Sequence, residues 1–101
     1  MYNVNMHLDF TWDERKNEEN IKKHGISFEE AKTVFKNFPL EIFYDPEHSA
    51  SEDRYLAVGF SDQGRVLVVV HIENSQGTQI RIISARQATS KEKRTVFGGK
   101  L

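Results

Sequence analysis

The chain has 101 residues, with 14 Lys and Arg against 15 Asp and Glu, 38% hydrophobic residues and no cysteine. That length supports one compact core over residues 1–101 rather than two, and the missing thiols exclude a disulfide framework, a thiolate metal site and a cysteine nucleophile. The N-terminus has neither a basic start nor an apolar run, and no stretch approaches the ~18 apolar residues of a membrane span, so a soluble cytoplasmic protein with no membrane partner is expected.

Alternation over Met6-His7-Leu8-Asp9-Phe10 predicts a short first strand. Thr11-Trp12-Asp13-Glu14 has the spacing of a capping box, with Asp13 as an alternative cap, and opens a helix from Glu14 to His24 that Gly25 ends. Ile21 is almost its sole large apolar residue, so most of its circumference should face solvent. A second capping box, Ser27-Phe28-Glu29-Glu30, opens an amphipathic helix carrying Phe28, Ala31, Val34, Phe35 and Phe38 at helical spacing until Pro39. Strands are predicted over Leu40–Asp45, Tyr55–Ser61, Val66–Glu73 and Thr78–Ala85. Their short connections favour an antiparallel meander. Val66-Leu67-Val68-Val69-Val70 is apolar on both faces, which places it centrally with a helix over one side. A third capping box, Thr89-Ser90-Lys91-Glu92, opens a short basic helix closed by Gly98-Gly99. The expected fold is α+β in the order β-α-α-β-β-β-β-α: a small antiparallel sheet against two N-terminal helices, with a short C-terminal helix.

Charge is unevenly distributed. Residues 37–62 hold Arg54 against six acids, a net of -5, whereas residues 63–101 hold seven bases against two acids, a net of +5. The last third is therefore the part able to attract polyanions, unless the acidic middle satisfies it internally. No P-loop, dinucleotide fingerprint, HExxH or nucleophile elbow occurs, and the four His are too scattered for a metal cage, so no metal or cofactor is expected.

The remaining chemistry rests on arginine and histidine around the last two strands. Alternation places Ile80, Ile82 and Ser84 on one face and Gln79, Arg81, Ile83 and Ala85 on the other. A hairpin through Ser75-Gln76-Gly77 could bring His71 near Arg81, with register deciding whether they share a face. Arg86 lies between the strand end and the cap at Thr89, where guanidinium and backbone amides could hold a phosphate. Each residue also has a plain structural role open to it. His71 could be a packed core residue, Arg81 could pair with Glu73, and Arg86 with an acid of the middle segment. Trp12 could be a core residue rather than a base-stacking platform, and Lys22-Lys23-His24 could complement a helix dipole rather than contact phosphate. Asp45-Pro46-Glu47-His48-Ser49 reads as a self-bonded turn.

In this order, several stretches resemble the BrnT-type toxins of bacterial type II toxin-antitoxin systems, and the resemblance spans nearly the whole chain. They are Phe10-Thr11-Trp12-Asp13-Glu14, Asn20-Ile21-Lys22-Lys23-His24-Gly25-Ile26-Ser27-Phe28-Glu29-Glu30-Ala31, Asp45-Pro46-Glu47-His48-Ser49, Gly64-Arg65-Val66-Leu67-Val68-Val69-Val70-His71 and Arg81-Ile82-Ile83-Ser84-Ala85-Arg86-Gln87-Ala88-Thr89. The resemblance implies a RelE-like fold and a ribonuclease that inhibits translation. It also implies a BrnA-type ribbon-helix-helix antitoxin that neutralises the toxin in a hetero-oligomer and alone contacts operator DNA. Metal-free cleavage through the ribose 2'-hydroxyl needs a stabilised pentacovalent phosphate and a proton carrier. Arg81 and Arg86, then Arg65, are the phosphate-clamp candidates, His71 the proton shuttle, and Lys23, His24 and Trp12 secondary RNA contacts. The resemblance departs at Thr95-Val96-Phe97-Gly98-Gly99-Lys100-Leu101, where a longer polar helix is expected and where Val96 and Phe97 call for apolar cover.

A noncatalytic reading uses the same arginines: a basic sheet face that binds an acidic antitoxin segment and acts as co-repressor. Direct DNA binding is disfavoured, since no helix combines basic and base-reading residues in a major-groove pattern.

Overall fold

The computed structural model describes residues 8–49 and 51–98. The first half of the strand expected at Met6–Phe10 lies outside them, as does Gly99. Within them the chain forms β1 (Asp9–Thr11), α1 (Glu14–His24), α2 (Phe28–Ala31), β2 (Leu40–Asp45), β3 (Arg54–Phe60), β4 (Val66–Glu73), β5 (Gln79–Gln87) and α3 (Ser90–Phe97), with single 3-10 segments at Lys32–Lys36 and Pro46–His48. The five strands make one sheet in the order β1-β5-β4-β3-β2. β2 through β5 form the expected antiparallel meander. The sheet as a whole is mixed, because β1 pairs with β5 in parallel. That pairing uses α1 and the whole meander as its crossover, which a parallel neighbour requires.

The local signals explain the helices. Asp13, not Thr11, caps α1, accepting the Arg15 and Lys16 amides, and Gly25 closes it at φ 71°. The two buried side chains of α1 are asparagines, Asn17 and Asn20. Asn17 Oδ1 accepts the Phe28 amide at 2.8 Å, and Asn20 donates to the Ile26 and Ala85 carbonyls and accepts the Ala85 amide. A polar helix is thus docked by amide hydrogen bonds rather than by an apolar stripe, which left Ile21 exposed. The expected second helix is shorter than its periodicity suggests. α2 makes one α-helical turn and tightens into the 3-10 segment, while Phe38 lies beyond both and is 82% exposed. Ser27 caps α2, but the reciprocal half of the box is missing because the Glu30 carboxylate is used elsewhere. At α3 the box is complete, with Thr89 and Glu92 bonded in both directions.

β4 occupies the centre of the sheet and is covered on both faces. On one side Ala57, Leu67, Val69, Ile80, Ile82 and Ala85 pack under Ile26, Phe28, Ala31, Val34 and Phe35. On the other side α3 lays Phe97 over Val58, Val66, Val68 and Ala88, with Phe60 stacked on Phe97 at 6.2 Å. Phe97 therefore finds its cover within the chain. No helix among the described residues is long and apolar enough to cross a membrane.

Candidate active site

One irregularity decides which candidate residues meet. Between Val70 and His71 the β4/β5 register shifts: Val70 faces Ser84, but His71 faces Ile82, so β5 carries an extra residue at Ile83. Simple alternation would put Ala85 with Arg81. The bulge instead moves Ala85 onto the buried face with Ile80 and Ile82, and it brings Arg86 and Arg81 to the opposite face. Arg86 pairs with Val68 and Arg81 with Ile72. His71 lies on the helix-covered face, in register with Tyr55 and Ile82. His71 and Arg81 are thus neighbours at one end of the sheet without sharing a face.

His71 is fully buried. Its ring meets Phe35 edge-on at 5.0 Å and stacks on Tyr55 at 5.9 Å. Its Nδ1 faces the Val69 carbonyl at 3.3 Å and its Nε2 the Glu73 carboxylate at 3.2 Å. Glu73 links this buried ring to the surface, because it lines a cleft of about 380 Å³ together with Arg81, Glu52, Asp9, Thr11 and Asn74. Arg81 Nη2 donates to Glu52 at 2.6 Å, with both side chains about half exposed. The expected alternative partner, Glu73, is therefore not the carboxylate that holds Arg81. Thr11 sits in register beside Arg81, and Trp12 follows it with its ring edge-on to Phe28, its Nε1 donating to Glu14 and Lys32 above its face.

The other basic candidates lie elsewhere. Arg65 precedes β4, six residues from His71 and so roughly 20 Å away along the strand. It forks onto Glu30 through Nε and Nη2, and Ser61 donates to the same carboxylate at 2.7 Å. Its Nη2 also approaches the Gly25 carbonyl at the end of α1, so Arg65, Lys23 and His24 belong to that far end. The Arg65 guanidinium is the largest cause holding the buried Glu30 carboxyl below its ordinary range. Arg86 makes a two-pronged pair with Glu92 on α3, both bonds 2.8 Å. The carboxylate is on the adjoining helix rather than in the acidic middle segment. Asp45, His48 and Ser49 form the self-bonded turn expected of them, with His48 Nδ1 3.0 Å from Asp45. Among the described residues no three His, Asp or Glu side chains converge as a metal cage.

The Glu92 pair gives an acid-stability prediction. Hydrogen bonds from Arg86, and then from the Thr89 amide, hold the Glu92 carboxyl down at about 2 against an ordinary 4.5. A depressed folded-state value contributes stability that is complete above the unfolded value and is lost as pH falls through the folded one. The melting temperature should therefore fall between about pH 4.5 and 2. Glu92→Gln should flatten that part of the profile by circular dichroism, leaving the share due to Glu30 and Asp62; an unchanged slope would show that the pair is not what titrates.

A family model described as the ribonuclease toxin BrnT of type II toxin-antitoxin systems matches residues 12–92. The chain belongs to the BrnT family. Its fold is also similar to the crystal structure of the Brucella abortus ribonuclease toxin BrnT, with a TM-score of 0.63 and 26% identity over 82% of this chain and 99% of that one. No curated protein sequence matches the chain significantly. The BrnT match runs from Trp12 to Glu92 and so includes every basic candidate above. Glu73 and Glu52 were not singled out as cleft residues from sequence. The alternation that pairs Glu73 with His71 two residues away on one strand face was the available signal for the first, and nothing local signalled the second.

Proposed function

We propose that this BrnT-family chain is a metal-independent endoribonuclease that inhibits translation and is neutralised by a BrnA-type antitoxin, with the reaction at the Arg81 cleft. The observation that carries this reading is that Arg81 and Glu73 line one cleft at the end of the sheet, with His71 behind Glu73. An RNA phosphate displaces Glu52 and takes the guanidinium fork of Arg81, which stabilises charge as the phosphorus becomes pentacovalent. Glu73 accepts the 2'-hydroxyl proton, the 2'-oxygen bonds to phosphorus, and the bond to the 5'-oxygen breaks as that oxygen takes a proton from water. The products are a 2',3'-cyclic phosphate and a 5'-hydroxyl. His71, sealed from solvent, acts through its Nε2 contact with Glu73 as a positioning residue. Arg86, about 13 Å from Arg81 along the strand, serves a different phosphate once Glu92 yields it. Lys23, His24 and Arg65 at the far end, and Trp12 beside the cleft, are the contacts to flanking RNA.

The test is cleavage of single-stranded RNA by the purified chain in excess EDTA. Undiminished cleavage with cyclic-phosphate ends is expected. Loss of cleavage that a divalent cation restores would overturn metal independence. A folded chain that binds its antitoxin and leaves RNA intact would instead be the noncatalytic co-repressor module.

A further inference from the structure

The β2 edge of the sheet is apolar. β2 is the terminal strand, paired only through β3 among the described residues. It exposes three successive large side chains, Ile42 at 40%, Phe43 at 43% and Tyr44 at 52%, and Phe38 stands exposed just before it. Soluble proteins normally blunt such an edge with lysine, proline or a bulge, because its unpaired amides and carbonyls template another strand. Leu40-Glu41-Ile42-Phe43-Tyr44-Asp45 has no lysine or proline and pairs with β3 without a register shift, leaving only the acids Glu41 and Asp45 as charged groups. Phe43 also forms one wall of an apolar groove of about 220 Å³ floored by Leu56, Val58 and Val68 and bounded by Val96 of α3. Edge and groove make one continuous surface.

The charge around this surface specifies its occupant. Glu41, Asp45 and Glu47 line the strand and its turn, and residues 37–62 carry a single base. A second copy would set these acids against their own duplicates, a like-charge cross-strand arrangement that destabilises. We infer that β2 is the docking edge for an extended segment of the antitoxin, apolar at alternate positions and flanked by Lys or Arg, which adds a sixth strand and places one apolar side chain in the groove beside Phe43. This rests on the toxin-antitoxin reading above and does not depend on catalysis at Arg81, which lies on β5.

The experiment is hydrogen-deuterium exchange on the full chain, free and in the complex co-expressed with its antitoxin. Amides of residues 40–45 should exchange at least ten-fold more slowly in the complex. Glu41→Lys combined with Glu47→Lys, both exposed positions, should weaken the complex at least ten-fold without changing the melting temperature of the free chain. A complex that forms with β2 exchange unchanged overturns the inference alone. Failure to form any complex overturns it together with the antitoxin reading. Concentration-dependent protection of β2 in the free chain, with the mass of a dimer, overturns it in favour of a second copy.

Discussion

Arg81→Ala is expected to lower RNA cleavage by ~10²- to 10³-fold, the loss typical when one preorganised donor to a developing oxyanion is removed. Stability should hardly move, because the side chain is 48% exposed and its partner Glu52 is 56% exposed; exposed pairs of this kind are worth about 0–1 kcal/mol. Arg81→Lys should recover only part of the rate, since an ammonium keeps the charge and loses the two-pronged fork. Cleavage assays on the purified variants, beside thermal melts, separate these effects. A folded Arg81→Ala protein that cuts RNA at the wild-type rate would remove Arg81 from the reaction.

The largest stability effect is expected at Glu30. Its carboxylate is 4% exposed, receives the Arg65 fork and the Ser61 hydroxyl, and ties α2 to the turn before β4. Glu30→Ala leaves the guanidinium and hydroxyl facing a void. Removing one partner of a buried ion pair costs about 3–5 kcal/mol, and the one-third exposure of Arg65 places this case near the lower end. For a domain of this size about 3 kcal/mol corresponds to a fall of roughly 12–24 °C in melting temperature. A shift below a few degrees would mean that Arg65 finds water as good a partner. The reciprocal Arg65→Ala should cost stability too, and a cleavage rate retained by the surviving folded fraction would place Arg65 in the scaffold rather than at the phosphate.

Much of the frame was legible because it rests on local rules. Ser27, Thr89 and Gly25 mark helix ends by backbone chemistry that needs no tertiary context, and the apolar runs of β3 and β4 name the centre of the sheet. The shape of the site was not. Alternation along Gln79–Gln87 assigns faces correctly only as far as Ile82, because the additional residue at Ile83 is a pairing defect visible only against β4. Asn17 and Asn20 look like solvent-facing helix residues until the Phe28 amide and the Ala85 backbone are brought to them. The partners of Arg65, Arg81 and Arg86 lie 35, 29 and 6 positions away, so only the last was within reach of a local reading.

In the proposed reaction the Arg81–Glu52 contact competes with the phosphate for the guanidinium. Glu52 occupies the fork that an incoming phosphate needs, so apparent affinity is the intrinsic affinity scaled by the fraction of molecules in which Arg81 has let go. With a pair worth no more than about 1 kcal/mol, that fraction is at least roughly one in six. The carboxylate is therefore a place-holder and not a lock. On the proposed reading it keeps the guanidinium partnered between encounters and cedes it to RNA at a penalty of at most about six-fold, so silencing falls to an external agent such as the antitoxin rather than to the acidic loop.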